Sequence, residues 1–229
     1  MVKGEKIRIE PLPGIKKDCM SKRLPGEEIA NTWTHAVGVA GTLVAVYPMM
    51  KMAFSHDWTY VLGTTLFLVG MLFMYTCSTL YHAVTPGTEA KRIIRVYDHI
   101  SIYVMIAGSY SLLCISALGG WRGWSLFGFL WACVVAGIIG KVRALGKHPK
   151  LSLTLYLVMG WAALVVIVPL WKSLPHSAFY CVLAEGIFYS IGAYFFSKDE
   201  QYAYFHAIWH VFILLGSLSH TAAMLIVLA

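Results

Sequence analysis

The sequence predicts an all-α integral membrane protein of seven transmembrane helices, and three observations carry that prediction. Hydrophobic residues make up 59% of the 229, and only 13% are charged, about half the charged share of a soluble domain. The apolar residues gather into seven stretches, each near the roughly 20 residues that a helix needs to cross about 30 Å of hydrocarbon. The basic residues fall between those stretches, and unevenly so. A chain this apolar, with mean hydropathy +0.68, cannot solvate its own surface in water, which excludes a soluble enzyme or carrier.

The predicted spans are Ile29–Met50, Tyr60–Tyr81, Ile100–Leu118, Trp121–Gly140, Leu151–Trp171, Ser177–Phe196 and Ala203–Ala229. The connections are short, so neighbouring helices should pack antiparallel with no second folded domain between them. Residues 1–28 carry seven basic residues and three prolines and read as a cytoplasmic N-terminal segment ahead of a transmembrane domain over 29–229. The start is polar and basic with no small-residue cleavage motif, so no cleaved leader is expected.

Orientation follows from the cations. With the N-terminus inside, only Lys51, Arg122 and Lys172 of the 18 Lys and Arg fall outside. Basic residues favour the cytoplasmic side of short loops, so the N-terminus is expected in the cytoplasm and the C-terminus outside it. The net charge of +7 has the same origin and implies no nucleic-acid partner. This orientation is opposite to that of G-protein-coupled receptors, and the last span has no lysine for a retinal Schiff base. Cys77, Cys114, Cys133 and Cys181 fall in apolar runs; together with Cys19 they make an odd set without a CxxC pair, and they read as packing residues rather than a disulfide framework.

Ionisable side chains inside membrane helices are costly, so each is a functional candidate. His206 and His210 stand at i and i+4 of the last span. That spacing puts both imidazoles on one helix face, as in helices that hold zinc through H-E-x-x-H. Alone, the pair fits interhelical hydrogen bonding equally well. The second span ends in Ser78 and His82, again i and i+4, and Asp98-His99 stands at the mouth of the third. Asp98 alone would serve as a helix cap or a counter-ion to Arg92 and Arg95.

The alternating topology joins these residues. It brings the end of the second span and the starts of the third and seventh to one membrane face, so His82, His206, His210, Ser78 and Asp98 should converge there. Three histidines with a fourth position left to water form a common catalytic zinc arrangement. Zinc brings the pKa of its bound water to about 7, and Asp98 can take a proton from that water while Ser78 hydrogen-bonds the water or a developing oxyanion.

Other polar residues are less determined. Glu28, Asn31 and His35 share one face at the start of the first span, where they could support the site or order the helix start. His99 points about 100° away from Asp98 and reads as a neighbour of the site. Glu185 falls mid-span in the sixth helix, its role open. His220 lies about 21 Å deeper than His206 at 1.5 Å per residue, too far to share the metal. His56, His148 and His176 fall in predicted loops and read as solvated.

In these residues the chain resembles the progestin and adipoQ receptor family, in its bacterial hemolysin III branch. The resemblance rests on Ser78-x-x-x-His82, Asp98, His206-x-x-x-His210 and Glu28-x-x-Asn31-x-x-x-His35, and it runs from about Glu27 to the C-terminus. It implies a seven-helix fold with one zinc on His82, His206 and His210, and with Asp98 and Ser78 beside the zinc-bound water. It also implies a link to ceramide-type amide hydrolysis, seen in eukaryotic relatives and the wider alkaline ceramidase superfamily, and to membrane-fluidity homeostasis in the bacterial branch.

Three functions compete on this reading. The first is a zinc-dependent membrane hydrolase of a lipid amide or ester, its substrate entering sideways from the cytoplasmic leaflet. The second is a non-catalytic membrane-fluidity sensor or regulator with a structural zinc site. The third is a proton or ion pathway through Glu185 and the histidines, which would spread polar residues through the bilayer depth rather than gather most of them at one face.

Overall fold

In hydrocarbon a chain must satisfy its backbone hydrogen bonds internally, and for apolar stretches of this length the α-helix does so. The computed structural model describes residues 24–144 and 149–229. Residues 1–23, with Cys19, and residues 145–148, with Lys147 and His148, lie outside the described residues. The described helices are α1 (Pro25–Ala53), α2 (Trp58–Ala83), α3 (Glu89–Leu112), α4 (Gly120–Ala144), α5 (Pro149–Gly160), α6 (Ile167–Ser173), α7 (His176–Ser197) and α8 (Phe205–Leu228). A π-helical turn, Leu113–Leu118, prolongs α3, and a 3₁₀ turn, Ala162–Val166, joins α5 to α6. These helices make seven spans long and apolar enough to cross a membrane, with α5 and α6 sharing the fifth.

Local sequence explains the ends. Pro25 occupies the first turn of α1, where its missing N–H has no intrahelical partner to lose. Asp57 caps α2 by accepting from the hydroxyl and the backbone N–H of Thr59, and these donors hold its carboxyl below the usual carboxylate range. Thr88 caps α3 through Lys91 N. The third and fourth spans are joined at Gly119 and Gly120, both at positive φ (59° and 54°), a conformation that glycine adopts without Cβ strain.

The largest departure from the sequence reading is in the third helix. It starts at Glu89 rather than near Ile100, so Asp98 and His99 lie on its third turn and not at its mouth. Residues 89–99 mix Glu89, Lys91, Arg92 and Arg95 with Ile93, Ile94, Val96 and Tyr97. Such a segment is helical without being apolar enough to register as a span. His56 and His176 are exposed, as the sequence reading expects, and each also has a neighbour. His56 Nε2 lies 3.1 Å from Leu228 O at the end of α8 and its ring stacks on Tyr60, while His176 stacks on Trp171 at 4.0 Å between ring centroids.

Packing centres on α3, the most buried span among the described residues. One core cluster (Phe67, Met71, Tyr75, Leu112, Met224 and neighbours) fills the α1–α2–α8 side, and another (Tyr103, Tyr110, Leu130, Val134, Met159) fills the α4–α5 side. Helices α2 and α3 approach closely at glycines: a Cβ on Gly63 would lie 2.5 Å from Leu112 Cα, and one on Gly108 would lie 2.6 Å from Leu66 O. Small residues at such crossings are the usual way membrane helices gain contact, since burial from lipid offers no hydrophobic gain. Large apolar side chains such as Val44 and Val165 point outward, 77% and 87% exposed, as suits a surface covered by lipid. Cys77 and Cys114 are buried, and they, Cys133 and Cys181 are all free thiols.

The fifth span breaks after Gly160. The Tyr110 hydroxyl donates to Gly160 O and accepts from Ala163 N at 3.2 Å, so backbone groups freed by the break regain partners inside the bundle. Beside that break lies an apolar cavity of about 120 Å³ between α3, α5, α7 and α8.

Candidate metal centre

The centre is assembled where α1 and α8 begin and α2 ends. Glu27, buried on the first turn of α1, accepts from Leu24 N and from Tyr204 N, each at 2.8 Å. Tyr204 is the one non-glycine residue at positive φ (62°) among those described, an uncommon conformation for such a residue. Glu27 thus ties the start of α1 to the turn that launches α8, two residues ahead of His206.

His82, His206 and His210 are buried, and their ligating atoms lie within 4.8 Å of one another. Ring centroids confirm the grouping: His82–His206 at 5.0 Å, His82–His210 at 5.1 Å and His206–His210 at 4.7 Å. The three side chains are close enough to hold one metal ion. This is the convergence expected from two i, i+4 pairs on antiparallel helices.

Each of the three has its Nδ1 engaged by an oxygen. His82 Nδ1 lies 2.6 Å from Glu28 Oε2, and the other carboxylate oxygen of Glu28 meets Lys91 Nζ at 3.4 Å. His206 Nδ1 lies 2.6 Å from Asp199 Oδ2. His210 Nδ1 lies 3.2 Å from the Asn31 carbonyl and 3.1 Å from Thr34 Oγ1. A carbonyl only accepts, so Nδ1 of His210 carries the proton; the two carboxylates impose the same tautomer on His82 and His206. In all three the Nε2 lone pair is then the one suited to a cation.

The other residues singled out in the sequence lie around this group. His35 stacks on His210 at 3.5 Å between centroids and meets Tyr75 edge-on at 5.1 Å, so the Glu28–Asn31–His35 row on α1 touches two of the three histidines. Asp98 lies within electrostatic reach of His82 and His35 but outside the three-histidine group, and its carboxylate is 3.4 Å from His99 Nδ1. Ser78 is buried one turn above His82 on α2. His220 is apart from the group and pairs instead with Glu185, Nδ1 to Oε2 at 2.6 Å. Asp199, Glu27 and Thr34 are the participants that sequence reasoning misses. Asp199 sits in a polar turn that reads as an ordinary connection; its only signal is a carboxylate shortly ahead of a helix bearing two histidines.

The apolar cavity begins beside this centre. Phe196 and Trp209 line it, and both also meet the ring of His206, at 6.0 and 4.8 Å between centroids. Leu164 and Leu183 line it too and are exposed on the outer face of the bundle, so it reaches surface that lipid covers.

The sequence model of the family described as "Haemolysin-III related" matches residues 25–221. The chain belongs to the haemolysin III family. It is 36% identical to Hemolysin-3 of Bacillus cereus over 83% of this chain and 87% of that one, and 36% identical to the Hemolysin-3 homolog of Bacillus subtilis (strain 168) over 83% and 89%. A more distant relative is the monocyte to macrophage differentiation factor of Homo sapiens, 25% identical over 86% of this chain and 83% of that one. This haemolysin III member is thus a multi-pass protein of the bacterial cytoplasmic membrane. The matched region includes every residue of the centre, from Glu27 and Glu28 through Asp199 to His210.

Proposed function

We propose that this chain is a zinc-dependent membrane hydrolase of a lipid amide or ester, serving membrane-lipid homeostasis. The observation that carries the reading is the group of three histidines whose Nδ1 atoms are each held by an oxygen, two of them carboxylate oxygens. Such partners fix the ring direction and raise the basicity of Nε2, as they do around zinc in other proteins. Three imidazoles suit zinc and leave a coordination position open, whereas closed structural sites use four protein ligands. When bound, zinc supplies Lewis acidity that lowers the pKa of a water ligand to about 7.

The chain's own groups supply the rest. His82, His206 and His210 hold the ion, and Glu28 and Asp199 keep two of the rings turned toward it. Asp98 takes the proton of the attacking water and returns it to the leaving nitrogen or oxygen of the cleaved amide or ester. The Ser78 hydroxyl donates to the substrate carbonyl oxygen as negative charge gathers there. The acyl chain lies in the apolar cavity past Phe196 and Trp209, entering from the lipid between Leu164 and Leu183. The bias of basic residues supports placing this end in the cytoplasmic leaflet, with the N-terminal segment inside and the C-terminus outside.

Asp98→Asn tests the reading, because it keeps the side chain's shape and removes the carboxylate. With a fluorogenic N-acyl lipid and its ester counterpart as probes in nanodiscs, turnover should fall by about 10²–10⁴-fold, the usual scale of general-base assistance, while zinc stays bound. Unchanged turnover would overturn the role of Asp98. Zinc-loaded wild type that turns over neither probe would favour the sensor with a structural metal.

A further inference from the structure

A second buried polar site lies away from the metal centre. Glu185 stands mid-span on α7, and His220 stands on α8 ten residues past His210, roughly 15 Å farther along the helix at 1.5 Å per residue. His220 is 2% exposed and Glu185 8%, and Nδ1 of the imidazole lies 2.6 Å from Oε2 of the carboxylate. Ionisable groups at this depth are costly and mark functional positions.

Both residues line the apolar cavity whose other end lies beside His206. The cavity follows α8 from Trp209 through Ile213 to His220 and α7 from Phe196 to Glu185, so the pair sits along its length, distant from the metal centre. His220 Nε2 is buried and has no hydrogen-bond partner among the described residues. The nearby hydroxyls are engaged with one another, Tyr75 to Ser217 at 2.7 Å and Tyr189 to Ser217 at 3.1 Å. A buried polar atom left without a partner is costly, and a site with such an atom discriminates strongly for a ligand group that completes it.

The pair's chemistry selects that group. With the proton on Nδ1, Nε2 is an acceptor; with the proton on Glu185, Nε2 is a donor. A hydroxyl serves either state because it both donates and accepts. A cation would match only the first state and would shed its hydration into an apolar lining.

We propose that Glu185 and His220 form a recognition site for a hydroxyl group carried part-way along a lipid chain. The proposal rests on the reading of the cavity as the place of that chain, and it deepens that reading: the metal centre takes the reacting head, and the pair selects among chains. The experiment uses the full chain, metal-loaded in nanodiscs, with octadecanoic acid and a mid-chain hydroxylated octadecanoic acid as probes, each read by displacement of a radiolabelled fatty acid. Wild type should bind the hydroxylated probe about 10–100-fold more tightly, because only that probe gives the buried Nε2 a hydrogen-bond partner. His220→Phe should bring the two affinities together while keeping octadecanoic acid bound. Glu185→Gln, whose amide oxygen can still accept from Nδ1, should retain part of the preference. Equal affinities in wild type, or a preference that survives in His220→Phe, would overturn the hydroxyl site and leave the cavity's lipid role standing. Failure of wild type to bind either probe would overturn both.

Discussion

Glu28 and Asp199 stand on different elements and do the same work. Each places a carboxylate oxygen 2.6 Å from Nδ1 of one histidine, and each thereby decides which nitrogen of that ring faces the proposed ion. Glu28→Gln and Asp199→Asn should each weaken metal binding by about 10–100-fold, the usual effect of removing such a partner, read by competition against a chelating dye. Unchanged affinity in both variants would show the carboxylates to be bystanders. The two residues also mark how far the sequence can be read at this scale. Glu28 is visible because Asn31 and His35 repeat it at helical spacing. Asp199 has no periodic partner; it reaches His206 through a turn held at Tyr204 by Glu27, 177 positions earlier in the chain. Only folding brings those two residues together.

Helices show the same division. Their number follows from apolar length, which a bilayer imposes on any span. The extent of α3 does not, because its first turns carry Glu89, Lys91, Arg92 and Arg95 and continue as helix beyond the apolar run. Close packing is likewise hidden: Gly41 and Gly108 look alike in sequence, but a Cβ at Gly41 meets nothing within 4 Å and one at Gly108 would strike the Leu66 carbonyl at 2.6 Å. Gly108→Ala should therefore separate α2 from α3 and destabilise the protein by about 1–3 kcal/mol, as overpacking does. Gly41→Ala should be neutral or stabilising by up to about 1 kcal/mol, since glycine loses more backbone freedom than alanine on entering a helix. Unfolding by denaturant titration in detergent measures both, and equal effects of the two substitutions would contradict the packing described for the α2–α3 crossing.

For the whole molecule, the proposed orientation and the metal centre are linked, since the bias of Lys and Arg would put the metal-bearing end in the cytoplasmic leaflet. A phosphatase fused after Ala229 should be active outside the cytoplasm; a cytoplasmic reporter signal from an inserted fusion would reverse the membrane face assigned to the centre. The metal should also couple the ends of α2 and α8 to the stability of the bundle, because ion binding adds directly to the folded state's free energy. The most direct measurement is therefore the zinc content of the purified chain by inductively coupled plasma mass spectrometry, for wild type and for the His206→Ala, His210→Ala double variant. About one zinc per chain in wild type, lost in the double variant together with a lower unfolding temperature, is the expected result. Full zinc retention by the double variant would contradict the three-histidine centre.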